Sequence, residues 1–169
     1  QSAPAADLPY PRLANFYNSE FKAGASTETL DALARYHLLV ATFKGDVARE
    51  VAYVKRKNPK TIVLPYIAVR GQSPNNPLMK DGYWLVSTTG QHVEPWPNRT
   101  LPNQTLPEVN DVMIAMAREA LQRLPQLDGL FLDSFYRTIA HMNKGDLDAN
   151  RDGQRDDPEK LNAAWVEGL

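Results

Sequence analysis

The sequence predicts an α/β fold in which successive parallel strands are covered by helices. Three observations carry that reading: short apolar runs alternate with helix-period segments, the alternation repeats about four times, and Asn, Pro and Gly fall at the joints. Apolar residues make up 43% of the 169, enough for the core of one domain of this length. Residues 10–169 are therefore expected to form a single α/β domain, preceded by a flexible segment over residues 1–9.

The first expected strand covers residues 12–17, and a helix begins near Ser26 or Thr27 with Leu30, Leu33 and Ala34 on one face. Residues 38–43 are an apolar run suited to a buried parallel strand. Asp46 then caps a helix whose Val47, Val51 and Val54 recur at helical spacing, and Asn58-Pro59 ends it. A third strand over residues 61–69 is β-branched at Thr61, Ile62 and Val63 and interrupted by Pro65. In the long excursion that follows, residues 83–87 and 91–94 flank Thr88-Thr89-Gly90 as a hairpin. Thr105 and Glu108 form a capping box, with Pro107 in the first turn of the next helix. Its stripe of Val109, Val112, Met113, Met116, Ala117, Ala120, Leu121 and Leu124 is expected to face the core. Residues 129–132 are the fourth strand, ending at Asp133, and after an acidic loop Pro158 starts a last helix with Leu161, Ala164 and Trp165 inward.

A net charge of -1 and a pI near 6.3 give no general attraction to nucleic acid, and no such partner is expected. The one short basic cluster, Lys55-Arg56-Lys57, closes a helix, where it complements the dipole. No apolar run approaches the roughly 20 residues of a transmembrane helix. The chain opens on Gln1 and the small residues Ser2-Ala3-Pro4-Ala5-Ala6, as a mature protein would after signal-peptide removal, so a periplasmic or secreted location is expected. The sequons at Asn98 and Asn103 are glycan acceptors only in a eukaryotic secretory route.

The most specific signal lies near the C-terminal end. Asp148, Asn150, Asp152, Asp156 and Glu159 place oxygen-bearing side chains at positions one, three, five, nine and twelve of a loop of EF-hand type. Gly153 occupies position six, where the chain turns sharply, and Gln154 at position seven offers its backbone carbonyl. Ca2+ is the expected cofactor, because it takes many hard oxygen ligands at once. The alternative is an acidic surface turn, whose carboxylates repel one another with only Arg151 and Arg155 as counter-ions. Arg155 stands where a paired loop carries an aliphatic residue, so the site is expected to be a lone structural one.

In parallel sheets, function collects at the carboxyl ends of the strands. Those ends carry Asn15 and Tyr17, then Lys44, then Tyr66 and Arg70, and finally Asp133 with Tyr136. Asp133 either faces a ligand there, or caps the next segment, or pairs with Arg137 or Lys144. Tyr83, Trp84 and Trp96 either stack on sugar rings or pin their loop, the second being the commoner role of large aromatics.

The run Leu127-Asp128-Gly129-Leu130-Phe131-Leu132-Asp133-Ser134-Phe135, together with Tyr10-Pro11-Arg12-Leu13-Ala14-Asn15-Phe16-Tyr17, resembles glycoside hydrolases of TIM-barrel fold in the style of the endo-α-1,4-polygalactosaminidase and α-galactosidase group. The likeness covers most of the chain and the first half of such a barrel. It implies a partial TIM barrel of about four β/α units, with the EF-hand-like calcium loop after strand four, and a polysaccharide as substrate or ligand. It also implies that Asp133 is the nucleophile; the strand-end residues Asn15, Tyr17, Tyr66, Arg70 and Tyr136 are then the substrate-binding candidates. Retaining hydrolysis needs a second carboxyl roughly 5 Å away. Glu20, Asp81 and Glu94 are the available candidates. A second reading is a non-catalytic extracytoplasmic scaffold that keeps a glycosidase-like fold and docks a protein partner in a larger assembly. A third, a doubly wound ligand-binding domain, lacks a phosphate-binding turn.

Overall fold

The computed structural model describes residues 12–18 and 21–169, without the side chains of Tyr17 and Asn18. The flexible segment expected over residues 1–9, and Glu20, lie outside the described residues. The elements run β1 (Ala14–Asn18), α1 (Thr27–Leu33), β2 (Leu38–Ala41), α2 (Ala48–Lys57), β3 (Ile62–Ala68), α3 (Pro107–Arg123), β4 (Phe131–Asp133) and α4 (Pro158–Glu167). Short 3-10 turns occupy Asp81–Tyr83 and Met142–Gly145.

The sheet order is β1-β2-β3-β4, with β1 on β2 and β2 on β3 in parallel. Each strand lies beside its predecessor in sequence, as expected of a β/α repeat. Among the described strands the order does not reverse, so the switch point of a doubly wound sheet is absent from them. The chain divides into two compact units. One takes the chain up to Ile67 together with Ala120–Phe131; the other takes Ala68–Glu119 together with Leu132–Leu169.

In the first unit, Ser26 caps α1 by accepting the Thr29 amide at 3.2 Å. Asp46 accepts the Ala48 amide at 3.2 Å, yet Val47 is the residue at the cap, one position later than expected. Asn58 ends α2, and its side-chain amide donates to the Ala34 carbonyl at 2.9 Å. The buried faces of the two helices, Leu30 and Leu33 from α1 and Val51 and Val54 from α2, pack with Leu39, Ala41 and Val63 of the sheet. The register sets Phe16 beside Val40 and Val40 beside Leu64. Phe16 meets Phe131 edge to face at 4.8 Å, and Tyr66 stacks on Phe131 at 6.1 Å.

The turn into β4 is held by Asp128. One of its oxygens accepts the Val63 amide at 2.7 Å and the ammonium of Lys55, which also reaches the Thr61 carbonyl at 2.6 Å. The rest of the basic cluster is engaged as well. Lys57 pairs with Asp31 at 3.1 Å, and Arg56 lies over the Tyr53 ring.

The second unit builds two small clusters. Leu85, Val93, Leu101, Ile139, Leu147, Leu161 and Trp165 form one, and Met79, Trp84 and Val109 the other. The expected hairpin is present, closed by the Ser87 amide on the Gln91 carbonyl and the Val93 amide on the Leu85 carbonyl. In α4, Asp157 accepts the Glu159 and Lys160 amides at 3.0 Å, Pro158 follows, and Leu161 and Trp165 point inward. The stripe of α3 departs from expectation. Val109 is buried, but residues 112, 113, 116, 117 and 120 are half-buried and Leu121 is exposed. The reason is that its start serves the small Trp84 cluster while Leu124, just past its end, serves the core of the other unit. No helix among the described residues is long and apolar enough to cross a membrane.

Asp128→Ala strips the Val63 amide and Lys55 of their shared acceptor and is expected to cost about 2 kcal/mol in chemical denaturation. The Tyr53 hydroxyl, and then Lys57, hold the Asp31 carboxyl below its ordinary pKa. That contribution is complete above the unfolded-state value and fades as pH falls through the folded one. The small difference in melting temperature between wild type and Asp31→Asn should therefore shrink below about pH 4.

Candidate functional site

Asp133 closes β4. Its carbonyl accepts the Val69 amide at 3.0 Å, which ties the ends of β3 and β4 together. The Val69 carbonyl in turn receives the buried Gln104 side chain at 3.2 Å, so this strand end is held from both sides. One Asp133 oxygen accepts the Ser134 hydroxyl at 3.2 Å. Ser134 itself has φ +66, a left-handed conformation that costs a non-glycine residue of order 1 kcal/mol. The chain therefore spends strain at the residue that follows the strand-end carboxylate.

Arg70 and Tyr136, both named from the sequence, are brought together: the guanidinium carbon lies 4.2 Å from the centre of the Tyr136 ring and 5.7 Å from that of Trp96. The partner of Trp165 on this segment is the Tyr136 carbonyl, which accepts its indole N–H at 3.0 Å. Asn15 and Tyr66 lie in β1 and β3 of the first unit, where Tyr66 packs on Phe131; the side chain of Tyr17 lies outside the described residues. Trp84 is 3% exposed and packs on Met79 and Val109, which gives it a structural role. Of the candidate second carboxylates, Asp81 contacts His92 at 3.0 Å and Arg151 at 3.6 Å, and Glu94 is exposed.

The acidic loop is ordered by its own side chains. Asp148, 3% exposed, accepts the Asp152 amide on one oxygen at 3.0 Å and the Gly153 amide on the other at 2.8 Å. Asn150 accepts the Asp152 amide at 3.1 Å, Asp152 the Gln154 amide at 2.8 Å, and Asp156 the Ala149 amide at 2.6 Å. Arg151 and Gly153 turn with φ +60 and +79, and at position six the left-handed turn is one that glycine makes without penalty.

Neighbouring segments brace the loop. Asp148 donates its amide to the Val86 carbonyl at 2.9 Å, Asn103 donates to the Ala149 carbonyl at 2.8 Å, and Arg151 donates to the Asp81 and Trp84 carbonyls at 2.7 and 3.0 Å. Arg151 is thus directed away from the loop carboxylates, and Arg155 lies against Gly145. Among the described residues neither arginine pairs with a carboxylate of the loop. In this conformation no three acidic or histidine side chains among the described residues converge on one point: the Asn150 amide donates to Asp152, and Glu159 lies in the first turn of α4. A cavity of about 280 Å³ beside Asn150, Asp156 and Lys160 gives water access to the loop.

No protein-family model and no curated protein matches this chain. Gln104 carries part of the site's geometry and had no sequence signal: it looks like an ordinary loop residue until Val69 is placed beside it.

Proposed function

We propose that this is an extracytoplasmic, saccharide-acting domain built on the first half of a (β/α) barrel, with Asp133 as its nucleophile and a structural Ca2+ in the loop around Asp148. The observation that carries the reading is the setting of Asp133. It ends the fourth strand of a sheet that runs in sequence order, it precedes a strained Ser134, and the segment after the neighbouring strand presents Arg70 beside two aromatic rings. In a retaining reaction the Asp133 carboxylate attacks the anomeric carbon while a second carboxyl protonates the departing oxygen. Asp81 is already engaged by His92 and Arg151, which leaves Glu94 and Glu20 for that role.

The scaffold reading keeps the same fold and gives Asp133 no chemistry. What favours it is the exposed apolar surface of Leu132, Phe135 and Tyr136 around Asp133, at 44%, 50% and 48%, which suits a protein partner. Turnover of a panel of α-linked polysaccharides by wild type and Asp133→Asn decides between the two. The hydrolase reading expects a loss of at least about a thousandfold in the variant. Equal rates reject Asp133 as nucleophile, and absence of turnover by the wild type favours the scaffold.

The Ca2+ proposal is supported by the buried Asp148 and by loop carboxylates with which neither Arg151 nor Arg155 forms an ion pair among the described residues. Asp148, Asn150, Asp152, Asp156 and Glu159 would hold the ion with the Gln154 carbonyl, after the Asn150 amide turns and Glu159 swings inward. Calcium at about 100 times its Kd adds about 2.7 kcal/mol, so chelation should lower the melting temperature by several degrees. Asp148→Ala should abolish that response. Identical melting curves with and without calcium would remove the ion from the loop.

A further inference from the structure

We propose that Arg70 is an anion-reading subsite and that the saccharide this domain takes carries a carboxylate, as a uronate unit does. The inference deepens the saccharide-acting reading and rests on it for the sugar. The charge preference stands on the arginine alone.

Arg70 stands two residues beyond β3, with its guanidinium carbon 4.2 Å from the centre of the Tyr136 ring and 5.7 Å from that of Trp96. Its edge is another matter. Guanidinium has five N–H donors in a fixed fork. Here Nε is shut off from solvent without a hydrogen-bond partner, and Nη1 has only the Met142 sulfur at 3.8 Å, a weak acceptor. No carboxylate among the described residues pairs with it. An arginine set beside two rings, paired with no carboxylate and giving Nη1 only a thioether, keeps its Nη edge for a planar, two-oxygen acceptor.

The neighbourhood shows that this posture is built. A Cβ on Gly71 would lie 2.5 Å from the Trp96 ring, so only glycine at that position lets the indole settle beside Arg70. Gln104 and the Asp133 carbonyl fix Val69, the preceding residue. Tyr136, 48% exposed, offers a ring face on which the C–H face of a pyranose can rest, which favours a sugar carboxylate over a free phosphate.

The test titrates the protein with oligogalacturonate, with its neutral methyl ester and with inorganic phosphate. Calorimetry gives each Kd, and the Nε–H resonance of Arg70 reports contact. The acid form should bind and shift that resonance, with the ester and phosphate at least about tenfold weaker. Arg70→Lys keeps the charge but loses the fork and should also weaken binding about tenfold. Gly71→Ala should weaken it by displacing Trp96 while Arg70 remains. Equal binding of acid and ester, an unaffected Arg70→Lys, or no binding at all overturns the proposal; phosphate binding as tightly as the oligomer overturns its saccharide part. If Arg70→Lys does not fold, an unmoved Arg70 resonance in the wild type overturns it instead. The two readings fail separately: hydrolysis of neutral polymers without charge preference defeats only this one, and tight uronate binding without any turnover defeats only the hydrolase.

Discussion

Strand β4 is three residues long, too short for ladder bonds alone to fix its place in the sheet, and Asp128 supplies the missing constraint. Its carboxylate takes the free amide at the start of β3 and the Lys55 ammonium at once, so the chain enters β4 in one register. At the far end, the Val69 amide on the Asp133 carbonyl closes the same pairing. A slip of one residue between these two anchors would turn Asp133 to the opposite face. The carboxylate that fixes entry into the strand is Asp128, five residues before the candidate one.

The second unit solves a different problem, that of ordering long loops with little regular structure. It uses side chain to backbone bonds in place of a large core. Asn103, Arg151, Asp148 and Asp157 each satisfy backbone groups that a loop would otherwise leave to water. The clusters around Trp165 and Trp84 then fill the space between those fixed turns. The expected apolar stripe on α3 is only partly covered: its start joins the Trp84 cluster, and Leu124, past its end, joins the core of the other unit.

Periodicity and punctuation made the β/α alternation legible, because short apolar runs and valine-spaced helices have few other uses. The ends were less so: β1 begins two residues late and β2 stops at Ala41, since pairing with neighbours, which no local pattern encodes, sets where a strand stops. The acidic loop was readable residue by residue, as its Asx turns depend only on neighbours in sequence. The surroundings of Arg70 were not, because Trp96 and Tyr136 approach it from distant segments and the enabling residue, Gly71, is informative only through the atom it lacks.

Asn103 ends as more than a sequon. It is 1% exposed, with its amide nitrogen spent on Ala149 and its oxygen on the Thr105 hydroxyl at 2.7 Å. Oligosaccharyltransferase acts on the nascent chain, before such burial protects a side chain. A host that glycosylates its secreted proteins would thus attach a bulky glycan to the nitrogen that later has to dock the acidic loop, so this packing tolerates only production without N-glycosylation.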